Sequence, residues 1–171
     1  MATAKSAVSP ERRSGLLGTG LAIAAVVVVL DQITKIWADT ALTPYQPLAV
    51  MPLLNLTLSY NPGAAFSFLS DQGGWQRWLF SGLAVAVSAY IVFWLWRLPP
   101  EHRWEGTGLA LVLGGAVGNL LDRLTRGVVV DFIDVHYAGW HWPAFNVADS
   151  AITVGVAILL AVTLLGPREP G

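Results

Sequence analysis

Acidic side chains recur inside or at the ends of apolar stretches of this sequence, where an ionisable group is costly. Asp131 follows three valines, and Asp149 comes 18 positions later, at the start of the last apolar stretch. A charge at membrane depth costs roughly 3 kcal/mol or more, so such residues usually have a function. Two carboxylates brought together in a poorly hydrated site share one proton and titrate as a unit. Such a pair can hydrolyse an amide, because the ionised partner deprotonates a water while the protonated partner donates to the carbonyl oxygen or the leaving amine.

These aspartates also allow other interpretations. Asp134 stands three positions after Asp131, and side chains three apart in an extended strand point to opposite faces. We therefore expect at most one of the two to face a common site, and residue chemistry leaves open which one. Asp149 could serve only as a helix cap, because free N–H groups at a helix N-terminus favour an aspartate. Capping alone would not explain the second aspartate in the preceding apolar run.

Amide and charged side chains accompany the carboxylates near the ends of the later apolar stretches. Asn119, Asp122 and Arg123 stand at spacings of three and four, so on a helix they share one face and can contact one another. Taken alone, this cluster is more typical of a structural helix end than of a catalytic site. Asn146 precedes Asp149 by one helical turn.

The first half of the chain adds an ion pair and a turn. Asp31 and Lys35 stand at positions i and i+4 with the acid first, an order that favours a helical ion pair, and a structural pair is the preferred interpretation. Asn61 begins the turn Asn61-Pro62-Gly63. Its amide either shapes this turn or holds the backbone of a bound peptide.

Other chemistries lack support in the sequence. The chain has no cysteine, which excludes thiolate nucleophiles and Cys-ligated metals. His136 and His141 lie near Asp131, but their spacing matches no common zinc site. The sequence contains no Gly-x-Ser-x-Gly elbow and no P-loop, and a net charge of -1 leaves no basic patch for nucleic acid. We predict no metal, no cofactor and no nucleic-acid partner.

The composition is that of a membrane protein. Apolar residues make up 54% of the chain and charged residues only 12%, against roughly 25% charged residues in an average soluble domain. A transmembrane helix needs about 20 mostly apolar residues, and four stretches qualify, at about 15–37, 76–97, 106–122 and 147–166. We predict an all-α membrane protein with four transmembrane helices in a single domain over residues 1–171.

The segment between the first two spans, at about 38–75, differs from the spans in its pattern of apolar and polar residues. Leu54, Leu56, Leu58 and Tyr60 alternate with polar residues, as in a half-buried strand. Tryptophans cluster near the predicted span ends, where amphipathic rings settle at the level of the lipid headgroups. We predict a small extracytoplasmic β-sheet, which is either a structured loop or a platform that contacts substrate.

Basic residues indicate the orientation of the spans. The apolar run after Arg12 and Arg13 resembles the start of a signal peptide, but it lacks a small-residue cleavage site, which favours an uncleaved first span. Four spans place both termini on one side, which the positive-inside rule makes cytoplasmic, and the aspartate motifs then face outward. The basic residues on the predicted inner side are Lys5, Arg12, Arg13, Arg97, Arg103 and Arg168, and those on the outer side are Lys35, Arg77, Arg123 and Arg126.

Five short motifs, in this order along the chain, resemble those of one family. They are Asp31-Gln-x-Thr-Lys35, Asn61-x-Gly-Ala-Ala-Phe66, Gly118-Asn-x-x-Asp-Arg123, Val-Val-Asp131-Phe and Phe145-Asn-x-Ala-Asp149. Together, from about residue 31 to 153, they resemble lipoprotein signal peptidase, also called signal peptidase II. No motif position departs from the family pattern.

The resemblance implies an aspartyl endopeptidase of the bacterial cytoplasmic (inner) membrane, which removes the signal peptide of a prolipoprotein just before a diacylglyceryl-modified cysteine. It implies Asp131 and Asp149 as the catalytic pair, and so selects Asp131 over Asp134. Residues that would shape the site or hold the substrate are Asn61, Asn119, Arg123 and Asn146, and residues that would support it are Asp31, Lys35 and Asp122. The implied partners are the lipidated substrate, membrane lipid and the cyclic peptide inhibitor globomycin, with the enzyme a monomer and its site near the outer face.

Two other functions remain open from the residues alone. A proton-coupled transporter also uses acids inside the membrane, but its carboxylates would lie near mid-span, whereas these lie at span ends. A non-catalytic scaffold would use the polar motifs only to pack helices, and it would tolerate Asp→Asn at both sites.

Overall fold

The computed structural model describes residues 10–63 and 74–165, and the side chains of the first helix from residue 16 onward. These residues form four helices and four strands. The helices are α1 (Pro10–Ala41), α2 (Trp75–Arg97), α3 (Arg103–Thr125) and α4 (Val147–Leu165), and the strands are β1 (Leu48–Met51), β2 (Leu54–Asn61), β3 (Val129–Tyr137) and β4 (Trp140–His141). The side chains of Lys5, Arg12, Arg13 and Arg168, and positions 64–66 of the Asn61 motif, lie outside the described residues.

Three helices in the described ranges are long and apolar enough to cross a membrane, namely Leu16–Ala41 within α1, α2 and α4. The remaining helix, α3, has 23 residues but is less apolar, because it is rich in glycine and ends in polar side chains. It packs against the other three helices, and a helix covered by protein does not need the apolar surface that lipid requires. Of the four predicted spans, three thus have the required length and hydropathy.

Two glycines of α3 let its neighbours approach closely at the end that carries the polar motifs. A Cβ on Gly118 would lie 2.7 Å from the Asp31 carboxylate of α1. A Cβ on Gly115 would overlap the Ala148 backbone at the start of α4. Small residues at such contacts are a common way to bring helix backbones together in membranes. The functional side chains of α1, α3 and α4 can therefore meet.

The strands form one antiparallel sheet in the order β1-β2-β3-β4. Ala138 and Gly139, between β3 and β4, both have positive φ, as a type I′ hairpin turn requires. The register pairs Asn61, at the end of β2, with Val129, at the start of β3. This pairing brings Asn61 close to Asp131.

The predicted small sheet is confirmed, although its strand β2 does not alternate strictly. The register shifts between Leu56 and Ser59, and Asn55 and Leu58 are the buried residues of the strand. A buried apolar cluster joins the sheet to the end of α1 and consists of Ala38, Leu58, Val130 and Phe132. A second cluster fills the space between α1, α2 and α3 and contains Ala24, Ile91, Leu95, Leu98, Leu109 and Leu113.

Candidate active site

Asp131 is a buried residue of β3, and only 2% of its surface is exposed. Both of its carboxylate oxygens accept hydrogen bonds from amides. Asn61 Nδ2 donates to Oδ2 at 3.0 Å, and Asn146 Nδ2 donates to Oδ1 at 2.7 Å. The pairing of β2 with β3 therefore positions one of the two donors, and the residue before α4 supplies the other.

Asp149 lies in the first turn of α4. Asn119 Nδ2, from α3, donates to Asp149 Oδ1 at 2.7 Å, and the Asn146 backbone N–H donates to Asp149 Oδ2 at 3.3 Å. Asn146 Oδ1 in turn accepts the Asp149 N–H at 2.9 Å, a reciprocal arrangement like that of a capping box. Asp149 thus makes the helix-end contacts that one interpretation predicted, and it also accepts an amide from a different helix.

Asn146 contacts both aspartates. This residue is completely buried. Its Nδ2 lies 2.7 Å from Asp131 Oδ1, and its Oδ1 accepts the Asp149 N–H at 2.9 Å. The same Nδ2 lies 3.1 Å from Asn119 Oδ1. One buried amide therefore connects a strand residue with a helix residue in a shared network.

The surroundings of Asp131 favour its protonated form. Burial raises the pKa of this carboxyl, and the nearby Asp149 carboxylate raises it further. Hydrogen bonds from Asn61 and Asn146 and the charge of Lys35 lower the pKa, and the balance raises it from 3.8 to about 7. A carboxyl with such a pKa is partly protonated at neutral pH, as a group that gives and takes protons must be.

Asp134, three residues further along β3, has separate partners. Its carboxylate accepts hydrogen bonds from Asn55 at 3.3 Å and Thr57 at 2.8 Å, and it pairs with His141 Nδ1 at 2.8 Å. Burial raises the pKa of Asp134, but the hydrogen bonds from these three neighbours outweigh it and leave the pKa below its ordinary value. Asp131 shares none of these contacts.

His136 and His141, the two histidines considered as metal ligands, lie in the group of side chains around Asp134. The rings of His136 and His141 stack with centroids 5.2 Å apart, and His141 is held by Asp134. Among the residues that the structure describes, no group of three or more His, Asp or Glu side chains could hold a metal ion.

A separate group of buried charges lies between α1 and α3. Lys35 Nζ lies 2.8 Å from Asp31 Oδ2 and 3.0 Å from Asp122 Oδ2, and all three side chains are fully buried. Asp31 Oδ1 accepts the Ala148 N–H at 2.9 Å, and Asp122 Oδ2 accepts the Val130 N–H at 3.1 Å. The ion pair expected from the i,i+4 spacing is present, and an aspartate from another helix completes it.

Arg123 lies beside this network without a hydrogen bond to its carboxylates among those described. Its Nη1 donates to the Asn119 backbone carbonyl at 3.3 Å, and its guanidinium lies 5.4 Å from the Phe80 ring centroid. Its Nε is buried and has no partner within the described part of the chain. The spacing allowed mutual contact of Asn119, Asp122 and Arg123 and equally allowed contacts with neighbouring groups. Asp122 pairs with Lys35, and Arg123 contacts the backbone of Asn119.

A cavity of about 440 Å³ opens beside Asp149. It is lined by Trp142, Phe145, Asp149, Ser150, Thr153 and Val154. The sequence interpretation assigned no pocket to these residues. Thr153 and Val154 follow Asp149 by four and five positions. On a helix this spacing places them next to the acid, so it could have predicted that they line a pocket with Asp149.

The chain is similar to known proteins over most of its length. The family model for signal peptidase (SPase) II matches residues 23–165. The lipoprotein signal peptidase of Pseudomonas fluorescens is 51% identical over 161 residues, covering 93% of this chain and 94% of that one. The lipoprotein signal peptidase of Pseudomonas putida is 56% identical over 149 residues, or 86% of each chain. A solved structure described as a bacterial membrane enzyme matches with a TM-score of 0.77 at 32% identity, covering 88% of this chain and 95% of that one.

Proposed function

Because this chain belongs to the signal peptidase II family, we propose that Asp131 and Asp149 form the catalytic pair with which it hydrolyses peptide bonds. The family and its relatives identify the protein as an aspartic peptidase that removes signal peptides from prolipoproteins. Such a peptidase needs two carboxyls that share one proton around a water molecule. The amide contacts that Asp131 and Asp149 share through Asn146 support their assignment to these roles.

The observation that carries this assignment is the contact of one buried amide with both residues. Asn146 donates to Asp131 at 2.7 Å and accepts the Asp149 N–H at 2.9 Å. The Asp149 charge also raises the pKa of Asp131, which is typical of two carboxyls that cannot both ionise easily. Proximity and an unequal sharing of protons are the two properties that a general acid and a general base require.

In the resting enzyme, Asp131 carries the shared proton and Asp149 is ionised. Asp149 removes a proton from the water as its oxygen attacks the scissile carbonyl carbon, and Asp131 donates its proton to the carbonyl oxygen. The resulting tetrahedral diol collapses as one hydroxyl returns its proton to Asp131. The C–N bond breaks, and Asp149 passes its proton to the leaving amine. The products are a new carboxyl end and a free amine, and the pair regains its starting state.

The other predicted residues shape the site or support it. Asn61, Asn119 and Asn146 orient the two carboxyls. Arg123 has a buried Nε without a described partner, which can donate to a carbonyl of the substrate main chain. The supporting residues are Asp31, Lys35 and Asp122, which join α1, α3 and the start of α4.

The scissile bond lies immediately before a diacylglyceryl-modified cysteine in this proposal. A lipidated precursor stays in the bilayer, because exposing its acyl chains to water costs about 0.8 kcal/mol per methylene. The cavity beside Asp149 has Trp142, Phe145 and Val154 in its wall. It can accept apolar groups of the substrate while the reacting bond remains at the carboxyls.

The enzyme acts as a monomer in the bacterial inner membrane, with α3 as its fourth span within a single domain of residues 1–171. The 23 residues of α3 rise about 1.5 Å each, or roughly 34 Å, and this length is sufficient for the hydrocarbon layer. The bias of basic residues supports cytoplasmic termini, a sheet outside the membrane and a site near the outer face. Globomycin is the expected inhibitor.

A cleavage assay tests the proposal. Purified protein in lipid is incubated with a diacylglyceryl-modified precursor peptide, with and without globomycin. We expect a cut before the modified cysteine that globomycin blocks and that Asp131→Asn and Asp149→Asn abolish. Asp134→Asn is the matched control, because it removes a buried carboxylate from the same strand outside the proposed site. Full cleavage by either of the first two variants would refute the assignment.

A further inference from the structure

Lys35 makes a contact beyond its two ion pairs. Besides Asp31 and Asp122, its ammonium donates to Asn119 Oδ1 at 2.9 Å. An ammonium group has three donors and no acceptor, so these three partners use all of its hydrogen-bonding capacity. A simple ion pair between helices would not require the third contact, whose acceptor is the amide that reaches Asp149.

The third contact determines the orientation of the Asn119 amide. Because an ammonium can only donate, Asn119 must turn its oxygen toward Lys35 and its NH₂ group away from it. On that far side, Asn119 Nδ2 donates to Asp149 Oδ1 at 2.7 Å. The reversed amide would place an oxygen lone pair against the Asp149 carboxylate and an NH₂ group against an ammonium, and both contacts are repulsive.

The same orientation extends to Asp131 through a second amide. Asn119 Oδ1 also accepts Asn146 Nδ2 at 3.1 Å, so Asn146 must present its NH₂ group there. That same nitrogen donates to Asp131 Oδ1 at 2.7 Å. A chain of contacts therefore connects the ammonium with both carboxyls through two amides.

We propose that Lys35 is a positioning residue for peptide hydrolysis, because its ammonium orients Asn119 and Asn146 so that both catalytic carboxyls meet amide donors. The inference rests on the proposed catalytic pair. Asp31 and Asp122 hold the ammonium in place, and this accounts for a lysine buried completely between two acids.

Lys35 also contributes its charge to the site. The other charged groups that interact with the catalytic pair are Asp31 from α1 and Arg123 from α3, and Asp122 from α3 pairs with Lys35 itself. Strand β2 has no charged residue. Within this set, the positive charge of Lys35 lowers the pKa of Asp131. Its removal raises that pKa, so the proton is kept to higher pH and the alkaline limit of activity moves upward.

The test replaces the ammonium without leaving buried charges unpaired. Lys35→Met alone keeps the side-chain volume but leaves two buried carboxylates facing each other, which can prevent folding. A triple variant therefore combines Lys35→Met with Asp31→Asn and Asp122→Asn. We expect this folded variant to lose kcat about 100-fold, as misplaced catalytic groups do, with little change in KM.

Two further variants separate positioning from stability. Lys35→Gln, placed in the same Asp31→Asn and Asp122→Asn background, retains an NH₂ donor for Asn119 Oδ1 and is expected to regain part of the lost kcat. Gln32→Met is the matched control, because Gln32 Nε2 contacts both Asp31 and Asp122 at 3.2 Å and makes no hydrogen bond to Asn119 among those described. It should keep kcat within about threefold of the unmodified enzyme and leave the alkaline limit unchanged.

The outcomes distinguish the two proposals. A folded triple variant with unchanged kcat would overturn the role of Lys35, as would a kcat loss that Lys35→Gln does not relieve. Asp131→Asn and Asp149→Asn are measured in the same assay. If they are inactive while the Lys35 variants are active, only the positioning role fails, whereas active aspartate variants remove the catalytic pair itself.

Discussion

Two pairs of aspartates in this protein differ in what lies between their members. Asp31 and Asp122 are bridged by the Lys35 ammonium, at 2.8 Å and 3.0 Å. Asp131 and Asp149 are bridged by a neutral amide, that of Asn146, which donates to the Asp131 carboxylate and accepts the Asp149 backbone N–H. Both pairs lie where α1, α3, α4 and the sheet meet. The difference in the chemistry that the two pairs can perform therefore comes from the group that lies between their members.

The bridging group determines what a carboxylate pair can do. A buried cation offsets the mutual repulsion of two carboxylates and joins the elements that carry them. A neutral amide leaves that repulsion in place. Burial and this repulsion together raise the pKa of Asp131 to about 7, so one carboxyl takes up a proton near neutral pH. The charged bridge suits structural support, and the neutral bridge suits proton transfer.

The largest expected effect comes from removing one member of the amide-bridged pair. Asp131→Asn or Asp149→Asn should lower kcat/KM by roughly 1,000-fold or more, since loss of one member of a catalytic unit is nearly complete. Thermal unfolding in detergent should show little loss of stability, because each change replaces a carboxyl with an amide of nearly the same shape. A variant that is both inactive and unfolded would not support the distinction between the two pairs.

The opposite behaviour is expected for the lysine-bridged pair. Lys35→Met should destabilise the protein by about 3–5 kcal/mol, because it leaves two buried carboxylates without their cation. The triple variant that also carries Asp31→Asn and Asp122→Asn should recover most of that loss. Unfolding midpoints of the single and triple variants check this, and equal midpoints would show that the lysine bridge does not support the fold.

The amide bridge itself can be broken at Asn146. Asn146→Ala removes the side chain that contacts the Asp131 carboxylate and the Asp149 backbone N–H, and kcat should fall about 100-fold. Asn55→Ala is the matched control, because it removes another buried amide that donates to a carboxylate of β3, that of Asp134. Similar losses of kcat in the two variants would mean that Asn146 contributes no more to catalysis than a buried amide outside the proposed site.

The pH dependence of activity should reflect the proton on Asp131. Because its pKa is raised to about 7, activity should decline as pH rises through that value, where the proton is lost and both carboxyls become charged. Asp134→Asn should leave this alkaline limit unchanged and change activity by less than about threefold. A rate that keeps rising through pH about 9 would contradict the raised pKa of Asp131.

Local sequence patterns predicted much of both clusters, and long-range packing determined the rest. The i,i+4 spacing predicts the Asp31–Lys35 pair because both residues belong to one helix. The contact of Lys35 with Asn119 spans 84 positions, and it depends on how closely α1 approaches α3. No local pattern encodes that distance.

The choice between Asp131 and Asp134 shows a similar limit. Alternation along β3 predicts that they point to different faces, but not which face meets the amides. That depends on the register with β2, where Asn61 is set beside the start of β3 and a shift occurs between Leu56 and Ser59. The resemblance to the family selected Asp131 where the spacing could not.

The third predicted span shows how hydropathy depends on surroundings. A helix such as α3, packed against three others, can carry glycines and polar ends because protein and not lipid covers it. Its hydropathy is therefore lower than that of α1, α2 and α4, although its length is similar to that of α2.

The central claim is that Asp131 and Asp149 act as one unit, and a double-mutant cycle tests it most directly. Cleavage of the lipidated precursor is measured for Asp131→Asn, Asp149→Asn and the double variant. If the two carboxyls share one proton and one water, the double variant should be no slower than either single variant, because each single change already disables the unit. Losses that multiply in the double variant, or substantial activity in either single variant, would contradict the account.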